Sequence, residues 1–296
     1  MTDADHAYHG LRPYLFTVAY RFTGSASDAE DLVHDAWLRY LTAGSPPVDS
    51  LRAYLTRVVS RLSLDYLKSA RVRRERYVGP WLPEPALTAS DTADPALVVE
   101  QSAAVSMALL VLLDRLTPIQ RVVYVLRESL DLPFDAIGEH LGLAPATCRQ
   151  HSHRARQRLA DNPAPENRQV SPRLTNRFLS ALERADADDL ARLLAEDVVW
   201  LSDGGPERTA ARNPILGNDR VARGLAGIIA RFGDAHQRLT VEMLNGEPGI
   251  ILWQGDAIAT VVQWQIAGGL IGTLWFSRNP TKLAYLAHQL GTTIAD

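Results

Sequence analysis

The chain has 296 residues, 46% hydrophobic and 22% charged, with a formal net charge of −3 and one cysteine. That length and composition suit two or three soluble domains, each able to bury a core, and exclude a chain disordered throughout. The charge balance excludes indiscriminate coating of nucleic acid, so any nucleic-acid binding would have to come from local patches, and the lone Cys148 excludes an internal disulfide and a thiolate metal cluster.

No stretch approaches the roughly 20 apolar residues that span a bilayer. The N-terminal run MTDADHAYHG is acidic and polar where a signal peptide is basic and then apolar, so a cytoplasmic protein with no membrane partner is expected. Tyr8 to Thr23 has a helical pattern, ended by Gly24. Ser27 followed by Glu30 reads as a capping box that opens a second helix, Asp28 to Leu41. Its inner face is Ala29, Leu32, Val33, Ala36, Trp37 and Tyr40; its outer face is acidic through Asp28, Asp31 and Asp35. After a turn at Gly44, Pro46 and Pro47, Ser50 caps a long helix from Leu51 to about Arg76, with Leu51, Tyr54, Leu55, Val58, Leu62 and Tyr66 inward. Arg57, Arg61, Lys68, Arg71, Arg73 and Arg74 make a cationic patch along its outer side and its end.

Gly79 to Pro95 contains Pro80, Pro83, Pro85 and Pro95 and reads as a linker that closes a first domain. A long apolar helix is expected from Ala96 to Leu116, and Thr117 before Pro118 caps a further helix, Ile119 to Glu128. Phe134, Ile137 and Leu141 then recur at helical spacing, Gly142 supplies a sharp turn, and Pro145 suits a first helical position. From Cys148, positions 148, 152, 155 and 159 make one inner stripe, which marks Cys148 as a small core residue. The opposite face carries Arg149, Gln150, His153, Arg154 and Arg156. This is a helix-turn-helix with a cationic second helix, and it points to DNA. Arg and Gln pair with guanine and adenine edges in the major groove, while further arginines suit phosphates. A solvated basic helix is the alternative; the turn, the inner stripe and the unbroken cationic face weigh against it together. His151 and His153 fall on different helix faces with no carboxylate cluster beside them, so no metal is assigned.

Asp161 to Pro172 reads as a second linker, and beyond it the pattern changes. Helices at about Arg173 to Ala185 and Ala187 to Leu194 precede a strand Val198 to Leu201, a Gly-rich turn and a helix Arg220 to Phe232. Strands Arg238 to Asn245, Gly249 to Gln254, Ala257 to Ile266 and Leu270 to Ser277 follow, separated by Asn245-Gly246, Gly255-Asp256 and Gly268-Gly269. Helices followed by a meander specify an α+β domain whose curved sheet wraps its helices.

With two cationic patches and an acidic helix in this order, residues 8 to 80 and 96 to 160 resemble regions two and four of bacterial RNA polymerase sigma factors of the extracytoplasmic-function (ECF) class. SDAEDLVHDAWLRYL at 27 to 41 is similar to the region-two helix that docks on the polymerase. LRAYLTRVVSRLSLDYLKSARVRR at 51 to 74 is similar to the segment that reads and opens the −10 element, and 116 to 156 to region four. The remainder resembles the subgroup whose sigma module is fused to a SnoaL-like domain of the cone-shaped, α+β NTF2-like fold. Three signatures carry that likeness: Trp81-Leu82-Pro83-Glu84-Pro85, Asp203-Gly204-Gly205 and Asn279-Pro280-Thr281-Lys282-Leu283. In the second, Pro206-Glu207-Arg208 stand where the subgroup continues with another glycine and a lysine. The implied organisation is a multidomain chain: two all-α sigma domains at 1–80 and 96–160, linkers at 81–95 and 161–172, and a regulatory domain at 173–296.

The resemblance implies no enzymatic chemistry and no cofactor. The chain would lend promoter specificity to core RNA polymerase, its partners being the β′ and β subunits and promoter DNA. Asp28, Asp31 and Asp35 would pair with a cationic surface of β′, although a solvated acidic face reads the same from the residues alone. The cations from Arg57 to Arg74 would hold −10 strand phosphates, and the turn Ala43 to Ser50 would carry the pocket for an unstacked base. Arg149, Gln150 and His153 would reach −35 base edges, with Arg154 and Arg156 on phosphates. The C-terminal domain would pack on the two sigma domains, using the motif Trp81 to Pro85 and the loop at Asp203, with Asn279, Pro280, Lys282 and Leu283 as further interdomain residues, and so bias a closed against an open arrangement. A Pro-rich spacer is the alternative there, and the indole of Trp81 in a hydrophilic linker speaks against it. Two rival readings of the C-terminal domain are a sensor for a small apolar ligand and a polyketide or steroid isomerase or cyclase. Trp200, Trp253, Trp264, Trp275 and Phe276 would then line a pocket, with Asp203 or Asp256 as base. The turn-like setting of both aspartates and the lack of a paired acid favour a plain aromatic core.

Overall fold

The first helix, α1, spans Asp3–Thr23 in the computed structural model, which describes residues 3–74, 77–88, 105–160, 172–232 and 237–295. It begins before the expected Tyr8 and runs through Pro13. Gly24, at φ +70, reverses the chain at once, a conformation that costs a residue without Cβ least. The cap of α2 (Ala26–Thr42) therefore falls on Ser25, whose hydroxyl accepts from the Asp28 N–H at 3.1 Å. This corrects the capping box expected at Ser27, which lies inside the first turn. The inner face of α2 is as read from periodicity, with Ala26 added.

Helix α3 spans Leu51–Arg74, and Ser50 Oγ accepts from the Ala53 N–H at 3.2 Å. Leu55, Val59, Leu62, Leu67 and Ala70 are buried, together with Thr56, Ser60 and Ser63. The expected inward residues Leu51, Tyr54, Val58 and Tyr66 are only half-buried. The stripe is rotated and widened because α3 packs against α1 and α2 and also against two later helices.

Those later helices belong to a run of four. Helix α4 is Met107–Leu113, shorter than the expected Ala96 to Leu116, of which 96–104 lie outside the described residues. Helix α5 is Pro118–Tyr124, with the Thr117 N–H donating to Gln120 Oε1 at 3.2 Å. It passes into a π-helical turn, Val125–Ser129, where regular helix was expected to Glu128; the wider turn buries the adjacent Val125 and Leu126 together. Helices α6 (Phe134–Leu141) and α7 (Pro145–Ala160) complete the set, and α5 and α6 are the ones that cover α3. The chain divides into two compact units, 1–76 with 109–163 and 77–108 with 164–296. Inside the first, Arg121 is 1% exposed, its Nε donating to the Arg21 carbonyl at 3.1 Å and its Nη1 meeting Asp114 at 3.2 Å.

The second unit holds α8 (Pro172–Glu183), α9 (Ala187–Leu193), β1 (Leu194–Asp203), β2 (Ile215–Leu216) and α10 (Asn218–Phe232). The strands β3 (Gln237–Leu244), β4 (Glu247–Gln254), β5 (Ala257–Ala267) and β6 (Leu270–Ser277) follow, then α11 (Pro280–Gln289) and β7 (Thr293–Ile294). The sheet order is β2-β1-β6-β5-β4-β3, with β1 parallel to β6 and β7 beside the start of β5. Because strand side chains alternate between faces, Ile250, Val262, Trp264 and Phe276 join the core with α8 to α10, while Ile251, Trp253 and Val261 meet Leu283 and Leu286 of α11. The helix α11 and the short strands β2 and β7 were not anticipated; Asn279 caps α11 through the Thr281 N–H, with Pro280 at its first turn. Among the described residues no helix is long and apolar enough to cross a membrane.

Candidate functional site

In α7 the buried residues are Cys148, Ser152, Ala155 and Leu159, the stripe expected from spacing. Arg149, Gln150, His153, Arg154 and Arg156 are all exposed on the other side. Gly142 takes φ +68, and the Leu143 N–H donates to the Gly138 carbonyl at 2.9 Å, closing the turn between the helices. Gly138, which sequence reading passed over, is needed as well: a Cβ there would lie 2.5 Å from the Leu143 carbonyl oxygen. Burial pushes the Cys148 thiol up, so it stays protonated and inert. Arg156 Nη2 is tied to Glu128 at 2.6 Å, while Arg149, Gln150 and Arg154 point outward from the stripe.

The cations of α3 divide. Arg71 and Lys68 are exposed, Lys68 meeting Asp65 at 3.0 Å; Arg57 is half-buried, its guanidinium 5.5 Å from the Tyr54 ring centroid. The side chains of Arg73 and Arg74 lie outside the described residues. Arg61 reaches α6, where its Nε donates to the His140 carbonyl at 2.6 Å and its Nη2 to that of Glu139 at 3.2 Å. His140 is buried, and burial, the charge of Arg57 and then that of Arg61 lower its pKa. On α2, Asp31 and Asp35 are exposed, but Asp28 is half-buried and accepts from Tyr66 OH at 2.5 Å, which occupies it in α2–α3 packing. Leu38 and Leu41, 45% and 43% exposed, lie further along α2 and add an apolar margin that the charge pattern did not reveal. The turn at 43–50 is largely exposed.

The second unit assembles all three signatures around one carboxylate. Asp203, at the end of β1, is 1% exposed; its Oδ2 meets Lys282 Nζ at 2.5 Å and accepts from the Leu82 N–H at 2.8 Å. Lys282 also donates to the Leu82 carbonyl at 2.5 Å and lies 3.9 Å from the Trp81 ring centroid. A buried charge pair requires its remaining valences to be filled, and the linker backbone fills them. Tyr77 OH donates to Asp203 Oδ1 at 2.5 Å and accepts from Asn279 Nδ2 at 2.7 Å; burial and then the bond to the Asp203 carboxylate push its phenol well up, against a smaller lowering by Asn279. Sequence reading missed Tyr77, which lies before the proline-rich motif and outside any periodic pattern.

Gly204 and Gly205 are required by crowding, since a Cβ would lie 2.5 Å from the Arg208 carbonyl oxygen and 2.7 Å from Asn279 respectively. Leu82, Pro83, Glu84 and Pro85 are buried, Trp81 is half-buried, and Leu283 belongs to the core under α11. Arg208 does not supply a cation to Asp203: it donates to the Ala295 carbonyl, and Lys282 holds the carboxylate.

Trp200, Trp253, Trp264, Trp275 and Phe276 are all buried. Trp200 packs 4.8 Å from Phe276, and a Cβ on Gly224 of α10 would lie 2.8 Å from the Trp200 ring, so helix and indole are in direct apposition. Asp256 is exposed in the β4–β5 turn, and Asp203 is occupied by Lys282, Leu82 and Tyr77. Neither aspartate is placed as a base.

Residues 7–73 match the Sigma-70 region 2 family, 106–159 the Sigma-70, region 4 family and 175–273 the SnoaL-like domain family. The chain is 36% identical over 290 residues to the ECF RNA polymerase sigma factor SigJ of Mycobacterium tuberculosis, covering 93% of this chain and 91% of SigJ. It is 33% identical over 294 residues to the probable ECF RNA polymerase sigma factor SigI of the same organism, covering 96% of each. The crystal structure of Mycobacterium tuberculosis SigJ is similar at a TM-score of 0.74 and 34% identity, covering 95% of this chain and 98% of that one. With an exposed cationic helix-turn-helix, an acidic α2 and a fused SnoaL-like domain, the chain belongs to the ECF RNA polymerase sigma factors, which bind core RNA polymerase and direct promoter-specific transcription initiation.

Proposed function

We propose that the SnoaL-like domain modulates this sigma factor in cis by holding the linker that joins its two DNA-binding halves. The carrying observation is that Leu82 gives both its N–H and its carbonyl to the buried Asp203–Lys282 pair. Releasing the linker would strip that pair of two hydrogen bonds and of the Trp81 ring over Lys282, so the docked state is favoured until a signal with unequal affinity for the two states arrives. In the cytoplasm, Asp31 and Asp35, with the exposed Leu38 and Leu41 further along α2, meet the β′ subunit, and the region-four half meets β. Arg57, Arg61, Lys68 and Arg71, continued by Arg73 and Arg74, hold −10 strand phosphates. Arg149, Gln150 and His153 read −35 base edges beside phosphate contacts from Arg154 and Arg156. Transcription in vitro with purified core polymerase and randomised promoter templates, comparing the full chain with residues 1–165, tests this; equal activity and equal promoter choice would remove the regulatory role.

A second reading, a small-ligand sensor, draws on one observation. The indole N–H groups of Trp200 and Trp264 and the Thr175 hydroxyl are buried without hydrogen-bond partners. Each such group costs about 1–3 kcal/mol, which a ligand acceptor would recover. Thermal melting of the full chain with a panel of apolar ketones, with Trp264→Phe as control, tests it; no shift with any compound removes it.

A further inference from the structure

Asn245 touches the linker on both sides of residues 89–104. Its N–H donates to the Ala86 carbonyl at 2.9 Å, and its Oδ1 accepts from the Ala86 N–H at 3.4 Å and from Gln263 Nε2 at 3.1 Å. Its Nδ2 donates to the Val105 carbonyl at 3.3 Å. The residue is 4% exposed and takes φ +54 in the turn between β3 and β4. Asn suits the position twice: it tolerates the left-handed conformation, and its amide offers a donor and an acceptor on one short side chain. Neighbouring groups extend the grip on the first flank. The Gly246 N–H donates to Thr88 Oγ1 at 2.6 Å, the Thr88 N–H to the Met243 carbonyl at 2.9 Å and the Leu87 N–H to Gln289 Oε1 at 2.8 Å.

We infer that Asn245 is a staple that holds Ala86 and Val105 together on the SnoaL-like domain and so limits how far the two DNA-binding halves can part. This rests on the proposed modulation in cis and names the residue that sets its geometry. The region-two half ends with α3 at Arg74, and Tyr77 is already held on Asp203. On the other side α4 starts at Met107, directly after Val105 and Ser106. A chain spans at most about 3.3–3.6 Å per residue, so with both flanks fastened each half is tethered by only about 10 Å of chain. While Ala86 and Val105 are both held on Asn245, the chain length between them, about 55 Å at full extension for sixteen residues, is not available to that separation. Freeing the Val105 flank returns it. That flank is the one to open first, because the Ala86 flank keeps its backbone bonds and the Asp203–Lys282 anchor. Asn245 is a positioning residue, acting through the linker.

Two variants separate its parts. Asn245→Asp keeps the acceptor for Ala86 and Gln263 and loses the donor to Val105; Asn245→Gly keeps the left-handed turn and loses all three side-chain bonds. Each is made in the full chain with Cys148→Ala and nitroxide labels at the exposed positions Leu38 and Gln157, and distances are read by pulsed electron resonance. The expected result is a rise of about threefold to tenfold in the longer-distance population, the equivalent of one hydrogen bond, with a cooperative melting transition retained. Distance distributions that match the parent in both folded variants would overturn the staple. Equal transcription by the full chain and residues 1–165, with the distance change still present, would instead overturn modulation in cis and leave the staple standing.

Discussion

Arg61 Nε donates to the carbonyl of His140 at 2.6 Å, joining the cationic face of α3 to the last turn of α6. A helix C-terminus leaves carbonyls unpaired and carries the negative end of the helix dipole, so a guanidinium is well matched to it. The same guanidinium is assigned to a promoter phosphate, and it cannot serve both at once. Arg61→Ala therefore has two separable effects. Removing one phosphate contact lowers the slope of log affinity against log salt by about 0.9. Removing the part-buried bond to the His140 carbonyl costs the sigma module on the order of 1 kcal/mol. Salt titration of promoter binding and urea unfolding measure the two; an unchanged salt slope takes Arg61 off the DNA.

His140 makes the same region sensitive to acid. Burial and then the charge of Arg57 lower its pKa from 6.5, Glu139 opposes them, and Arg61 adds a smaller lowering contribution. The unfolded chain therefore binds a proton that the folded chain resists. Its contribution to stability is present above pH 6.5 and is lost as pH falls through the lowered folded value. His151, lowered by burial and Arg154, acts in the same direction. The unfolding free energy of the full chain should fall between pH 7.5 and about 5, and His140→Gln should flatten that dependence in part. A pH profile identical in parent and variant would show that His140 does not contribute.

The helix-turn-helix was legible because its signals are local: the inner stripe at 148, 152, 155 and 159 and the turn at Gly142 follow from period and backbone freedom alone. The cap of α2 was misread because Ser25 and Ser27 offer the same chemistry, and only the position of Gly24 chooses between them. The three signatures were visible as motifs, but that they converge on one carboxylate depends on strand register, which pairs Asp203 with Ser277 and so brings β1 beside the chain that leads to Asn279 and Lys282. Tyr77 and Asn245 were invisible as site residues for a related reason. Each acts on a partner more than a hundred residues away, and nothing in its own neighbourhood distinguishes it from an ordinary linker or turn residue.

Asp203 and Lys282 have side chains 0% and 7% exposed, so removing either leaves the other as an unpaired buried charge. Asp203→Asn and Lys282→Met should each destabilise the SnoaL-like unit by roughly 3–5 kcal/mol, with the double variant losing much less than the sum. Protection of the Leu82 amide in hydrogen exchange should fall in both single variants, because its acceptor is Asp203 Oδ2 or is held in place by Lys282. Urea unfolding of the four forms gives the coupling. Additive losses would mean that the pair is not the unit that fastens the linker.

Arg149 and Gln150 are exposed on α7 opposite its buried stripe, early in the helix that follows the turn, where a recognition helix meets base edges. Replacing both with alanine should cost about 1–3 kcal/mol of discrimination for each base pair that is no longer read, with a smaller effect on nonspecific affinity. Arg154→Ala should weaken binding to every upstream element alike and lower the salt slope by about 0.9. Arg156→Ala should do less than Arg154→Ala, because Arg156 must first leave Glu128, which it meets at 2.6 Å. Binding of the full chain with core polymerase to a library of upstream elements at two salt concentrations separates these outcomes. If the Arg149 and Gln150 variant keeps its preferred sequence while Arg154→Ala alters it, the reading face lies one turn further along α7 than the exposure pattern places it.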